Sequence, residues 1–274
     1  MIKKVTVKTI QKMKDNGEKI AVLTAYDYST AKYIDEAGAD IVLVGDSLAN
    51  VALGYNSTQS VGMTEMLIFT GAVSRGVNRA LVIGDMPFMS YNVSIEEGIK
   101  NAGDMLRAGA NAVKIEGCND YLLSLIKRLT DSGIPVLAHL GFTPQSINTL
   151  GGYSVQGKDN ETITHILEQA RLLEKVGAFA LVLEMVPEEG SRYITENINI
   201  PTIGIGAGKY CSGQVMVSDD MLGKFSDYQP KFVRRYADIK TTVLNATEQY
   251  CADVKNGNYP ADNEVFHSEV INFY

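Results

Sequence analysis

Lys114 and Glu116 stand two apart in an otherwise apolar run, Asn111-Ala112-Val113-Lys114-Ile115-Glu116-Gly117. Side chains of a β-strand alternate between faces, so the ammonium and the carboxylate share one face while Val113 and Ile115 take the other. Burying such charges is costly unless they are paired or used. Other short apolar runs end in the same way, at Asp27, Asp46-Ser47, Asp85, His139 and Glu184. These endings point to one shared polar site. Asp46, Asp85 and Glu116 would bring three carboxylates towards one point, where they repel unless a cation or a proton intervenes. Ligation by oxygen alone suits Mg2+, which takes a few carboxylates and leaves positions for water and substrate. Such an ion polarises a carbonyl, and Lys114 beside it suits a substrate carboxylate or a developing enolate oxygen. Glu184 follows Ala180-Leu181-Val182-Leu183, so apolar neighbours, a raised pKa and work as a general base are expected of it. His139 is expected either to hydrogen-bond a substrate or to be satisfied within the core. Asp27 reads equally well as a helix cap, and Cys118, two residues past Glu116, is a further candidate for reactivity.

Those residues need elements that bring them together. Apolar runs over 20–24, 40–44, 80–83, 111–117, 134–138, 179–183 and 200–205 read as strands, and 214–217 supplies an eighth. Helical spacing appears over 5–16, 29–37, up to about 75, 95–108, 121–132, 161–176 and most of 230–255. Ser94 with Glu97 forms a capping-box pattern before the 95–108 helix. The segments 48–60 and 143–157 are irregular, long enough for binding loops. Short apolar strands alternating with helices imply a parallel sheet covered by helices, and the count of eight favours a closed (β/α)8 barrel. One domain over 1–274 is expected, with an N-terminal helix and a loosely structured tail of about 15 residues. No Gly-x-Gly-x-x-Gly follows the first strand and no Walker motif is present, which lowers dinucleotide and nucleoside-triphosphate readings.

Composition bounds the partners. The 274 residues are 45% hydrophobic and 21% charged, a balance that supports a sizeable soluble core. A net charge of −7 argues against a nucleic-acid or anionic-membrane surface. It leaves anionic small molecules open, because a local lysine or metal outweighs the overall sign. No stretch approaches the roughly 20 apolar residues of a membrane helix, and the start Met1-Ile2-Lys3-Lys4-Val5-Thr6 has no apolar signal core. Cys118, Cys211 and Cys251 lie outside any CxxC pattern and read as reduced thiols of a cytoplasmic protein.

Several longer stretches occur together and in order. They include Thr24-Ala25-Tyr26-Asp27, Val44-Gly45-Asp46-Ser47-Leu48, Asp85-Met86-Pro87-Phe88-Met89 and Val113-Lys114-Ile115-Glu116-Gly117. Further on come His139-Leu140-Gly141-Phe142-Thr143-Pro144-Gln145-Ser146, Gly151-Gly152-Tyr153, Leu183-Glu184, Ile203-Gly204-Ile205-Gly206-Ala207-Gly208 and Pro230-Lys231-Phe232-Val233. Over about residues 6–260 the chain resembles the ketopantoate hydroxymethyltransferase (3-methyl-2-oxobutanoate hydroxymethyltransferase) family.

The resemblance implies a (β/α)8 barrel related to the phosphoenolpyruvate mutase/isocitrate lyase superfamily. It implies transfer of a hydroxymethyl group from 5,10-methylenetetrahydrofolate to 3-methyl-2-oxobutanoate, the first committed step of pantothenate synthesis. It further implies Mg2+ on Asp46 and Asp85, with Glu116 in or next to the metal shell. Asp46, Ser47, Asp85, Lys114 and His139 are expected around the 2-oxo acid, with Glu184 as the general base and a homodecamer of two pentamers as the assembly. Asn56, Cys118 and the run Lys209-Tyr210-Cys211-Ser212 depart from the family's usual residues and touch none of these ligands. The competing expectations are another Mg2+-dependent lyase or mutase acting on a 2-oxo acid, and a barrel kept only for binding.

Overall fold

The computed structural model describes residues 3–225 and 229–271; Met1 and Ile2, part of the N-terminal segment considered above, and the last three residues of the tail lie outside them. Eight parallel strands close into a barrel in chain order, with β8 pairing back onto β1. They are β1 (Ile20–Thr24), β2 (Ile41–Val44), β3 (Leu81–Asp85), β4 (Ala112–Glu116), β5 (Val136–Gly141), β6 (Ala180–Glu184), β7 (Thr202–Ile205) and β8 (Gly213–Met216). The helices are α1 (Val7–Asp15), α2 (Tyr28–Glu36), α3 (Leu48–Val51), α4 (Met63–Gly76), α5 (Ile95–Arg107), α6 (Asp120–Asp131), α7 (Ile147–Leu150), α8 (Asn160–Lys175), α9 (Glu188–Glu196), α10 (Ser218–Met221) and α11 (Ile239–Asn256). Side-chain caps set many of the helix starts: Thr6, Asp27, Ser94, Asn119 and Asp159 each accept from a backbone N–H in the first turn, satisfying donors the helix leaves unpaired. Asp27 is therefore a cap, bonded to Thr30 N at 2.8 Å. Ser94 accepts from Glu97 N at 3.1 Å, which is the one half of the expected box that forms.

Strand parity divides the apolar core in two. Ile20 and Val22, Ile41 and Leu43, Leu81 and Ile83, Ala112, Leu137, Ala180 with Val182, Ile203 and Val215 pack as one inner cluster inside the barrel. Val5 and Ile10 join it, and Lys14 of α1 donates to the carbonyls of Ile198 (2.6 Å) and Ile200 (3.0 Å), so α1 plugs the N-terminal end. The alternate residues, among them Val42, Val44, Val82, Val113, Ile115, Ala138, Leu181 and Leu183, pack outward against the helices. Strands β2 to β7 are buried on both faces, which is why they read as near-continuous apolar runs, whereas β1 and β8 expose Ala21 and Gln214.

The differences from the sequence reading have physical causes. β3, β5 and β6 continue through Asp85, His139 and Glu184, because the ladder carries on beneath polar side chains that face the barrel interior. α9 has no apolar stripe: its buried residues are Gly190, Ser191 and Ile194, and Pro187 at its start makes no side-chain cap. Residues 230–238 are not helical; the helix starts only after Asp238, whose carboxylate caps Thr241 N. The two long loops each hold short turns of helix, at α3 and Thr58–Ser60, and at Pro144–Ser146 and α7.

The chain divides into two compact units, Met1–Ser218 with Pro230–Val233, and Asp219–Gln229 with Arg234–Tyr274. The first is the barrel. The second contains α11, which buries none of its own residues, and a tail whose described part has one short turn at Asp262–Glu264. Among the described residues, no helix is long and apolar enough to cross a membrane.

Candidate active site

The parity that fills the barrel with apolar side chains also builds the site. Continuing each inward row by two residues towards the strand C-terminus gives Asp85 after Ile83, Lys114 and Glu116 after Ala112, His139 after Leu137, and Glu184 after Val182. Polar residues at the C-terminal ends of barrel strands sit where this architecture places its chemistry. Register puts Lys114 beside Asp85 and His139 beside Glu116 on neighbouring strands. Asp46 comes from the turn after β2, drawn in by its own N–H, which donates to Asp85 Oδ2 at 3.0 Å.

Asp46, Asp85 and Glu116 each offer an oxygen within 4.8 Å of the others, and all three residues are at most 5% exposed. Lys114 Nζ donates to Asp85 Oδ2 at 2.6 Å and to Glu116 Oε1 at 2.9 Å. Asp85 Oδ2 is thus satisfied twice, whereas Asp85 Oδ1 is buried without a partner. An orphaned carboxylate oxygen beside two further carboxylates is what a hard divalent cation would take up. The donor set therefore fits such an ion: all oxygen, anionic, and with no cysteine or histidine that would favour zinc.

The electrostatics agree. Burial and then the charge of Asp85 push the Asp46 carboxyl well above its ordinary range. Burial likewise raises Asp85, against the opposing pull of Lys114. For Glu116 burial acts upward too, but Lys114 and His139 outweigh it and hold the carboxyl down at about 2. Glu116 stays ionised because Lys114 and His139 flank it, and the repulsion falls on the Asp46–Asp85 pair. Burial would lower the Lys114 pKa, but Asp85, Glu116 and Asp46 together raise it well above normal, so it is a fixed cation.

His139 joins the acidic cluster to Glu184. Its Nδ1 is 3.1 Å from Glu116 Oε1, and its Nε2 is 3.3 Å from Glu184 Oε2. The second contact is close but poorly directed for a hydrogen bond, so it is an ion-pair contact. Burial alone would lower the imidazole, yet Glu116, with Glu184 beside it, brings it up to about 9. Glu184 does not have the wholly apolar surroundings its sequence neighbours imply: its side chain is 16% exposed and its carboxylate faces a histidine. The local backbone is specific to this arrangement. Gly141 has φ +89°, and a Cβ there would meet the Glu184 carbonyl oxygen at 2.3 Å, so only glycine lets β5 and β6 end this close. Met185, directly after Glu184, holds φ 49°, a costly conformation for a methionine, and is fixed by Met185 N–H to Ile205 O and Gln156 N–H to Met185 O, both 2.9 Å.

Gln145 is the residue that inward parity does not find. It lies in the loop after β5, where its N–H donates to Glu116 Oε2 (3.1 Å) and its Nε2 to Asp46 Oδ2 (3.1 Å) and Met86 O (2.9 Å). Tyr91 Oη donates to Gln145 Oε1 at 2.7 Å. Gln145 thus orients two of the three candidate ligands, Asp46 through its side-chain amide and Glu116 through its backbone N–H. Replacing Gln145 with Ala is expected to weaken Mg2+ binding by about 10–100-fold, the usual loss when a supporting bond to a ligand is removed. Titration calorimetry would read this, and an unchanged affinity would mean that Asp46 holds its position without the side-chain amide.

Ser47 is less central than its neighbour: its hydroxyl is engaged with Tyr26 Oη at 2.8 Å. Cys118 is not poised as a nucleophile. Its Sγ lies against the Gln169 carbonyl at 3.8 Å, and burial and Asp120 push the thiol up, away from thiolate.

A closed parallel barrel with a charged, partly orphaned carboxylate cluster at the strand C-termini defines a (β/α)8-barrel enzyme with a candidate cation site. Solved structures share the fold. A 2,3-dimethylmalate lyase described as a PEP mutase/isocitrate lyase superfamily member matches with TM-score 0.60 and 16% identity, over 95% of this chain and 91% of its own. A phosphonopyruvate hydrolase solved with oxalate and Mg++ matches with TM-score 0.61 and 12% identity, over 94% and 92%. Sequence narrows the class. The profile of ketopantoate hydroxymethyltransferase matches residues 4–262, and the chain belongs to that family. Among relatives named 3-methyl-2-oxobutanoate hydroxymethyltransferase, that of Clostridium botulinum (strain 657 / Type Ba4) is 50% identical over 97% of this chain and 98% of its own. That of Syntrophus aciditrophicus (strain SB) is 51% identical over 96% and 97%. That of Thermotoga neapolitana is 51% identical over 95% and 96%.

Proposed function

We propose that this chain transfers a hydroxymethyl group from 5,10-methylenetetrahydrofolate to 3-methyl-2-oxobutanoate, giving ketopantoate for pantothenate synthesis. The observation that carries the reading is the linked row Asp85–Lys114–Glu116–His139–Glu184: a cation site at one end and a carboxylate base at the other, joined by a protonated imidazole. Mg2+ held by Asp46 and Asp85, with Glu116 in or beside its shell, would supply Lewis-acid polarisation of the 2-oxo group.

The chain's own residues do the rest. Lys114 presents a permanent positive charge where the substrate carboxylate or the oxygen that gains charge would lie. Glu184 has one oxygen against His139, while its Oε1 makes no hydrogen bond among the described residues; that free oxygen takes the C3 proton. His139 fixes the orientation of the base from below. The C3–H bond breaks, its electron pair forms the new C–C bond to the one-carbon unit, water supplies the hydroxyl oxygen, and tetrahydrofolate departs with the two nitrogens that held the methylene. Ser47, next to Asp46, supplies a hydroxyl at the edge of the same site. We place the enzyme in the cytoplasm as a homodecamer, a reading that rests on the family resemblance alone.

The test is deuterium exchange at C3 of 3-methyl-2-oxobutanoate in D2O, followed by proton NMR, together with assay of ketopantoate. Mg2+-dependent exchange plus folate-dependent product is the expected result. Turnover of the 2-oxo acid without folate would instead place the enzyme with lyases or mutases.

A further inference from the structure

The loop after β2 and the loop after β5 line a half-open cavity of about 390 Å³, a size typical of small-molecule sites. Gln59 staples the two loops together. Its Nε2 donates to the Gln145 carbonyl at 2.7 Å, and its Oε1 accepts from Asn148 Nδ2 at 3.1 Å. The walls include Asn56, Ser57, Thr58, Pro144, Asn148 and Tyr153, and no lining residue carries a formal charge. Pro144 directly precedes Gln145, whose backbone and side-chain amides bond Glu116 and Asp46, so one wall of the cavity runs on into the residue that braces the acids.

What the walls offer is unspent hydrogen bonding. Thr58 is 8% exposed, yet its hydroxyl has no hydrogen-bond partner among the described residues; the Asn56 amide and Asn148 Oδ1 are also unpartnered among them. The Thr58 hydroxyl is not among the sealed, unpartnered atoms, so it opens to the cavity and can donate to or accept from a ligand there. Tyr153 supplies an aromatic face: it is 74% exposed, and its ring is braced on buried Phe142 with centroids 5.0 Å apart. Partial burial, then the charges of Glu184 and Asp46, raise the Tyr153 phenol, so the ring is within electrostatic reach of both carboxylates.

Neutral amides, an unpaired hydroxyl and a braced aromatic ring suit a flat, uncharged heterocycle with amide-type donors and acceptors, and they do not suit an anion. We propose that this cavity seats the tetrahydropterin head of the folate co-substrate, leaving its glutamate tail in solvent. The assignment rests on the function proposed above and deepens it. It gives each substrate its own chemistry: the anionic 2-oxo acid at Lys114 and the acids, the neutral pterin between the loops.

The test uses full-length enzyme with Mg2+ and compares the dissociation constants of tetrahydrofolate and of a tetrahydropterin lacking the glutamate tail. The variants are Thr58→Val, which removes one hydroxyl without changing shape, and Tyr153→Ala at the exposed rim. Both ligands are expected to bind about five- to tenfold more weakly to each variant. Affinity for 3-methyl-2-oxobutanoate, measured in parallel, is expected to stay at the wild-type value and shows that the variants are folded. Unchanged folate and pterin affinity in both variants would overturn the cavity assignment and leave the proposed function standing. Weakened binding of tetrahydrofolate but not of the tail-less pterin would also overturn it, since the tail would then be the bound part. Weakened pterin binding in an enzyme that makes no ketopantoate would support the cavity and overturn the proposed reaction.

Discussion

Replacing Glu184 with Gln should slow deuterium exchange at C3 of 3-methyl-2-oxobutanoate by about 10³-fold, within the range that a positioned general base contributes. The amide keeps the shape of the side chain and its place beside His139 but accepts no proton at working pH. Glu184 is outside the group of Asp46, Asp85 and Glu116 whose oxygens converge and, among the described residues, is linked to it only through His139, so Mg2+ affinity should hold within about twofold. The combination makes the test discriminating. Loss of exchange with metal affinity intact assigns the base, whereas loss of both would mean that Glu184 supports the cluster through His139 and Glu116. Exchange at the wild-type rate would remove Glu184 from the mechanism altogether. A companion substitution, His139→Gln, separates positioning from proton transfer. It keeps a donor near Glu116 but removes the imidazolium, so a partial loss of exchange is expected rather than a complete one.

How much of this site could be seen in the sequence follows from strand geometry. Lys114 and Glu116 were legible because a period of two is strict: the same parity that puts Val113 and Ile115 against the helices puts the charges inside. Asp85, His139 and Glu184 follow the same rule, since each ends an apolar run on its inward phase. The strand ends were harder, because a polar residue reads as the end of a strand when it is in fact the last inward rung of one. Gln145 and Thr58 belong to loops, where no period relates sequence position to direction. Their contacts depend on how two loops separated by more than eighty residues meet, as Gln59 and Gln145 do. Glu184 shows a different limit. Its flanking residues are apolar, but flanking residues in a strand point the other way, and what its carboxylate meets is His139 from the next strand. The helix α9 was hidden because its buried face is mostly Gly190 and Ser191, small residues that leave no apolar signature.

Lys114→Met should produce an enzyme that binds Mg2+ more tightly and works far less well. The substitution removes a cation 2.6 Å from Asp85 and 2.9 Å from Glu116 and leaves three buried acids unbalanced. Breaking a buried ion pair from one side costs about 3–5 kcal/mol of stability, so the metal-free variant should unfold at a markedly lower temperature. The carboxylates lose their competing internal cation, however, and a divalent ion then meets less opposition. The rise in melting temperature on adding Mg2+ should accordingly be larger for the variant than for the wild type, since ligand stabilisation grows with affinity. Catalysis runs the other way. Without Lys114 no fixed charge meets the substrate carboxylate or the oxygen that gains charge, and the rate should fall by about 10²–10³-fold even at saturating Mg2+. Thermal unfolding across a Mg2+ titration, paired with the C3 exchange rate, reads both effects in one preparation. Opposite movements of metal affinity and rate identify Lys114 as a group that acts on substrate. A parallel fall in both would show that its work is to hold Asp85 and Glu116 in position for the cation, and the assignment of Lys114 to the 2-oxo acid would have to be withdrawn.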